Sequence, residues 1–303
     1  MNKKRSESSH QESGIREQSA EKHGGEIAPH AEAAPLNMHF YIKAFAGLLL
    51  RDLRVLTREL GPFIMRVGMQ PLLFLYVFTY VLPHMGGGGN PMMMAAGASF
   101  GEVLLPGLMA VAIMFTGIAA VALQLSAEFG ITREIDDRVM CPIPLWAVAL
   151  EKITFSALQS IIAALLVIPM AYYVPSTPVR ANLHNWPLLA VVMILSSLLS
   201  GAMGLSIGSF VPPKHIGLVF SIVLVPITFL GCVYYPWSGL SRMPGLQYGV
   251  LINPIVYMSE GLRAAVTPQV NHMHVAIVLS ALVFFTALLS RLGLKGFLRR
   301  VVA

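Results

Sequence analysis

The chain has 303 residues, of which 55% are hydrophobic and only 12% charged, with a mean hydropathy of +0.68. A soluble domain carries about 25% charged residues, so an ordinary soluble globular protein is excluded. The formal net charge of +6 does not signal nucleic acid. The basic residues flank apolar runs and do not cluster on one polar face, a distribution that orients a chain in a bilayer and meets anionic lipid.

Residues 1–37 are polar, rich in Glu, Ser, His, Gly and Lys, and are expected to form a disordered cytoplasmic tail. They contain no apolar h-region of a cleavable signal peptide, so the first membrane helix is expected to act as its own targeting signal. From Phe40 to Leu60 the pattern becomes helical. Lys43, Gly47, Arg51, Arg54 and Arg58 recur every three or four residues, with Phe45, Leu49, Leu53, Leu56 and Leu60 on another face. This is an amphipathic helix with a basic stripe, suited to the membrane interface. The alternative is a surface helix of a soluble domain.

Apolar runs follow at 63–83, 103–126, 152–174, 188–211, 216–235 and 273–292. Each is near or above the ~20 residues that cross a hydrocarbon core of about 30 Å. Pro71, Pro106, Pro169 and Pro226 fall within or at the ends of these runs, which neighbouring helices can tolerate. Gly201, Gly204 and Gly208 form a small-residue stripe that suits close helix packing. With Cys141 in a cytoplasmic loop and Cys232 in a membrane helix, the two cysteines are expected not to pair.

Residues 246–266 are apolar enough to suggest a seventh span but contain Asn253, Pro254, Glu260 and Arg263. A central charge costs about 2.5–3.5 kcal/mol on the insertion scale. Six spans with a cytoplasmic N-terminus put 18 of the 21 Lys and Arg residues inside, leaving Arg180, Arg242 and Arg263 outside. A seventh span would move the C-terminal cluster Arg291, Lys295, Arg299 and Arg300 outside. The chain is therefore expected to have six spans and two cytoplasmic termini. Residues 246–266 would then enter and leave the membrane from the outer side or lie along it, with Glu260 and Arg263 on one helix face near the outer surface.

No Gly-Lys pair is followed by Ser or Thr, and neither HExxH nor Gly-x-Ser-x-Gly occurs. His272 and His274 make only a weak metal pattern. The connection between the second and third runs is the longest expected on the cytoplasmic side. It mixes Glu128, Glu134, Asp136 and Asp137 with Arg133 and Arg138 and ends in Pro142 and Pro144. It suits docking to a soluble partner; a solvated turn fits its composition equally.

The stretch Glu128 to Pro144 followed by Leu150-Glu151-Lys152 resembles the first cytoplasmic loop of type-2 ABC transporter permeases. So does the block from Pro226 through Tyr235-Pro236 to Asn253-Pro254-Ile255-Val256-Tyr257, with Arg263 six residues further on. Arg66 and Pro71, at the opening of the first run, also fit. The resemblance implies an all-α integral membrane domain over 38–303, with an interfacial N-terminal helix carrying Arg51, Arg54 and Arg58, six spans, and a re-entrant hairpin before the last span. Asn253, Pro254, Tyr257, Glu260 and Arg263 would belong to that hairpin. It further implies two such subunits paired with two separate ATPase subunits in the bacterial inner membrane. ATP and Mg would be held by the partner, no cofactor by this chain, and Glu128, Arg133, Glu134, Asp136, Asp137 and Arg138 would form the coupling loop. An exporter of amphipathic, lipid-like, drug or lipid-linked glycan cargo is the leading expectation. A membrane-embedded transferase and an ATP-independent channel or secondary transporter are the alternatives.

Overall fold

The computed structural model describes residues 38–81, 84, 100–132, 144–174 and 185–302. The expected tail 1–37 and the loop residues Arg133, Glu134, Asp136, Asp137, Arg138 and Cys141 lie outside them. Two compact units are distinguished, Met1–Lys43 and Ala44–Ala303. The first contributes the opening residues of helix α1 (Met38–Arg58), and the rest of the description concerns the second.

Every regular element among the described residues is helical. Helix α2 (Leu60–Leu75) continues as a wider π-turn over Tyr76–Val81, just after Pro71. Helix α3 (Phe100–Ala127) likewise ends in a π-turn, Glu128–Thr132. Helices α4 (Leu145–Tyr173) and α5 (Trp186–Phe210) follow. A broken segment comes next: α6 (Ile216–Val219), a π-turn at Phe220–Leu224, and α7 (Val225–Phe229). Short pieces then lead through α8 (Pro244–Gly249) to α9 (Pro254–Val266) and the long α10 (Val275–Val302).

Among the described residues, five helices are long and apolar enough to cross a membrane: Leu60–Val81, Gly101–Gly130, Leu145–Tyr173, Trp186–Phe210 and Val275–Val301. They coincide with five of the six expected runs. The sixth, 216–235, differs. Its apolar helix is Pro213–Phe229, which at 1.5 Å per residue reaches only about 25 Å. The chain leaves the helix at Leu230, and Cys232 then adopts φ 53 in a turn. Cys232 is thus a buried free thiol in a turn, not a residue of a membrane helix.

Helices α3 and α5 form the centre, packed on each other and on α4, α9 and α10. Leu104, Leu105, Leu108, Met109, Ile113 and Met114 of α3 are almost completely enclosed. By contrast α2 and α10 leave most of their apolar stretches exposed, as expected of helices that face lipid. Small residues set the close approaches. A Cβ on Gly204 would lie 3.0 Å from the backbone of Ile118, so α3 and α5 meet nearly backbone to backbone. On α1, Leu49, Leu53 and Leu56 pack on Phe63 of α2 and Phe155 of α4, whereas Arg51, Arg54 and Arg58 are exposed.

Candidate functional site: two buried charge clusters at opposite ends of the bundle

The first cluster is built from the irregular backbone between α7 and α10. Its local order follows from proline. Pro226, Pro244 and Pro254 stand in the first turns of α7, α8 and α9, and Pro236 caps a 3-10 segment, Trp237–Arg242. Proline in a first turn loses no helical hydrogen bond, so it starts short helices readily. Short helices leave many orphan carbonyls, which must find partners if they are buried.

Side chains of α9 and its cap supply those partners. Asn253 Oδ1 accepts from Ile255 N at 3.1 Å, and its Nδ2 donates to Ile227 O at 2.7 Å, pinning the start of α9 to α7. Tyr257 OH donates to Leu251 O at 3.0 Å, and Ser259 Oγ to Gly231 O at 2.7 Å. Pro254 sets the φ of the first turn. Trp237 Nε1 closes the outer part of the loop on Gln247 O at 3.0 Å.

Glu260 and Arg263 stand at the centre, one helical turn apart, and neither exposes any side-chain surface. Arg263 Nη1 donates to Glu260 Oε1. The same carboxylate accepts Trp237 N at 2.9 Å and, through Oε2, Met273 N at 2.8 Å. Arg263 Nη2 donates to Cys232 O at 3.1 Å and reaches Val103 O of α3 at 3.5 Å. One acid and one base therefore join α9 to the turn after α7, the 3-10 segment, α3 and the approach to α10. The two share a helix face, as the spacing implies, but they are sealed inside the protein. Packing around them is equally close: a Cβ on Gly107 would overlap the Val233 carbonyl, with Val233 Cα 2.9 Å away.

The second cluster gathers the opposite helix ends. Lys152 of α4 donates to Glu128, at the end of α3, at 2.6 Å, and both side chains are buried. Arg300 of α10 places Nη1 at 2.9 Å from Gly208 O, 3.3 Å from Ser209 O and 3.0 Å from Val211 O. It thereby caps the C-terminal end of α5, where a cation meets the negative end of the helix dipole. Its guanidinium also lies 4.3 Å from the centroid of the Phe129 ring. The ends of α3, α5 and α10 and the start of α4 thus converge where the segment 133–143 departs.

Along α3 the two clusters are 25 residues apart, from Val103 to Glu128, or about 38 Å at 1.5 Å per residue. A bilayer with its headgroup regions is about 40–45 Å thick. The separation of the two clusters is thus close to the thickness of a bilayer, with the apolar bundle between them.

Of the residues singled out in the sequence, Asn253, Pro254, Tyr257, Glu260 and Arg263 come together in the first cluster and Glu128 in the second. Arg51, Arg54 and Arg58 stay apart on the outer face of α1, where Arg51 Nε pairs with Asp52 at 2.9 Å. Lys152 was legible as an orientation charge and as part of the first-loop resemblance, and Arg300 as an orientation charge alone; the buried partner of Lys152 and the capping role of Arg300 were not. His274 Nδ1 accepts from Ala276 N at the start of α10, a capping role. No group of three or more potential metal ligands occurs among the described residues.

Comparison with known proteins matches residues 44–267 to the ABC-2 type transporter family. The inner membrane transport permease YadH of Escherichia coli (strain K12) is 29% identical over 178 residues, covering 55% of this chain and 63% of the relative. The Shigella flexneri protein of the same name matches to the same extent. The chain thus spans less than two thirds of the length of the curated relatives it matches. The family match covers most of the chain, including α2 to α9 with Glu128, Lys152, Glu260 and Arg263, and the chain belongs to the ABC-2 type transporter family of membrane permeases.

Proposed function

We propose that this chain is the membrane-spanning subunit of an ATP-driven exporter of the bacterial inner membrane, and that a separate ATPase moves it through the segment 133–143. The observation that carries this reading is the convergence of α3, α4, α5 and α10 on the Glu128–Lys152 pair and the Arg300 cap. A push on a segment anchored there reaches four long helices through buried contacts, whereas a push on an isolated turn would be dissipated.

In this reading α1 lies in the interface and both termini are cytoplasmic. The broken segment Pro213–Phe229 forms a sixth span with the irregular residues that follow it, and the short helices from Trp237 to Val266 form a re-entrant hairpin. Irregular backbone at membrane depth needs protein around it; the near-complete burial of α9 supports that arrangement. Two copies would assemble with two ATPase subunits, which bind ATP and Mg. Cargo moving outward along such apolar helices would be amphipathic: a lipid, a lipid-linked glycan or a hydrophobic drug.

Reversing Glu134, Asp136 and Asp137 together to Lys tests the coupling. Single exposed ion pairs are worth only about 0–1 kcal/mol, so one substitution is too small a perturbation. The triple variant is expected to insert normally in the membrane but to lose its co-purifying ATPase or transport-stimulated ATP hydrolysis. Retention of both would place the coupling elsewhere.

A further inference from the structure

A cavity of about 510 Å³ opens at the α1–α2 junction, at the same end of the bundle as Glu128 and Lys152. Its size is within the range of small-molecule sites, about 300–1,000 Å³. Its apolar floor includes Phe63 and Phe155, but its walls are polar where the surrounding helices are not.

Arg66 of α2, Gln124 of α3 and Gln159 of α4 all line it, and each belongs to a helix long and apolar enough to cross a membrane. None of these side chains has a hydrogen bond or ion pair among the described residues. Gln159 is only 9% exposed. Arg66 is exposed and Gln124 half-buried, so Gln159 is the group for which a missing partner is costly, and a polar occupant of the cavity would supply it.

The charges narrow the occupant. Arg51 and Arg66 are balanced by Asp52 and Glu59, so the wall carries no net charge. Arg51 is engaged by Asp52. Glu59 and Arg66 face one cavity with no ion pair between them. A lone phosphate would suit Arg66 and be repelled by Glu59; a lone cation would meet the reverse. A ligand with one phosphate and one primary ammonium suits both. Beside the mouth, Leu60, Ile64, Met65 and Met69 expose an apolar strip of α2 that can receive hydrocarbon chains.

We infer that this cavity binds an aminophosphate zwitterion presented as a lipid headgroup. The phosphate rests on Arg66, the ammonium on Glu59, and the amides of Gln124 and Gln159 meet the remaining oxygens. The lipid so held would fix the angle between α1 and α2 next to the helix ends that meet segment 133–143.

The test uses the full chain in nanodiscs containing equal phosphatidylethanolamine and phosphatidylglycerol, with retained lipid counted by native mass spectrometry after release into detergent. Wild type is expected to retain phosphatidylethanolamine selectively. Glu59→Gln should abolish the selectivity, since a neutral amide can accept a hydrogen bond from an ammonium but does not balance its charge. Arg66→Gln should reduce retention of phosphatidylethanolamine about tenfold, as loss of a charge-assisted contact does, and Arg66→Lys should restore part of it. Arg242→Gln, at the other end of the molecule, controls for nonspecific loss. Should Arg66→Gln fail to fold, the exposed Glu59→Gln variant decides alone. Equal retention of the two lipids by wild type, or selectivity unchanged in Glu59→Gln, would overturn the inference. Displacement of the lipid by millimolar soluble phosphoethanolamine would overturn the lipid assignment in favour of a soluble ligand.

Discussion

Replacing Arg263 by Met retains much of the side-chain volume and removes the charge. Glu260 is left fully buried opposite an apolar group, and the carbonyls of Cys232 and Val103 lose their donor. Breaking a buried ion pair from one side costs about 3–5 kcal/mol. Here the carboxylate keeps two backbone donors, Trp237 N and Met273 N, so the lower end applies. A loss of about 3 kcal/mol corresponds to a fall in Tm of about 5 °C for a chain of this size. The informative comparison is the double variant Glu260→Gln/Arg263→Met. Glutamine carries no charge to bury, and its single amide oxygen can still accept one of the two backbone N–H groups, which the carboxylate receives on separate oxygens. The remaining cost is then that of one unpaired N–H and the unpaired carbonyls, about 1–3 kcal/mol for each group left fully unsatisfied, against the larger cost of an unpaired buried carboxylate. Thermal unfolding of the purified protein in detergent should show the double variant more stable than Arg263→Met alone. If Arg263→Met unfolds at the wild-type temperature, or the double variant loses the sum of both single losses, the charge cluster is not what holds α9 to its neighbours.

Three further outcomes follow from the geometry. Gly107→Ala should lower the yield of folded protein sharply while Gly245→Ala does not, because a Cβ at Gly107 strikes the Val233 backbone and one at Gly245 meets nothing within 4 Å; size-exclusion profiles compare them. Arg300→Gln should loosen the end of α5 and speed hydrogen exchange at residues 208–211 without affecting α9, since three carbonyls lose a charged donor. A reporter fused after Ala303 should fluoresce as cytoplasmic GFP and fail as a periplasmic phosphatase; the reverse result would refute the six-span orientation.

The sequence determined which segments could enter a membrane, because insertion depends on the length and hydrophobicity of a local run. Five runs reappear as long helices; Asn253 and Pro254 were legible only as hairpin residues, and the structure makes them the cap and first-turn proline of α9. The three-residue step between Glu260 and Arg263 likewise placed them on one face. What that face meets was not legible. Their partners are largely backbone groups of Trp237, Met273, Cys232 and Val103, from 13 to 160 residues away, and every residue type offers the same N–H and C=O. The helix of the sixth run ends earlier than its hydropathy suggests for a related reason: hydropathy does not register that the chain turns at Gly231 and Cys232, whose buried carbonyls accept from Ser259 and Arg263. Arg300 and Gln159 show the same limit. A basic residue near a C-terminus reads as an orientation charge and a lone glutamine in an apolar run as a minor defect. Only the packing of distant helices made one a cap on α5 and the other a wall of a polar cavity.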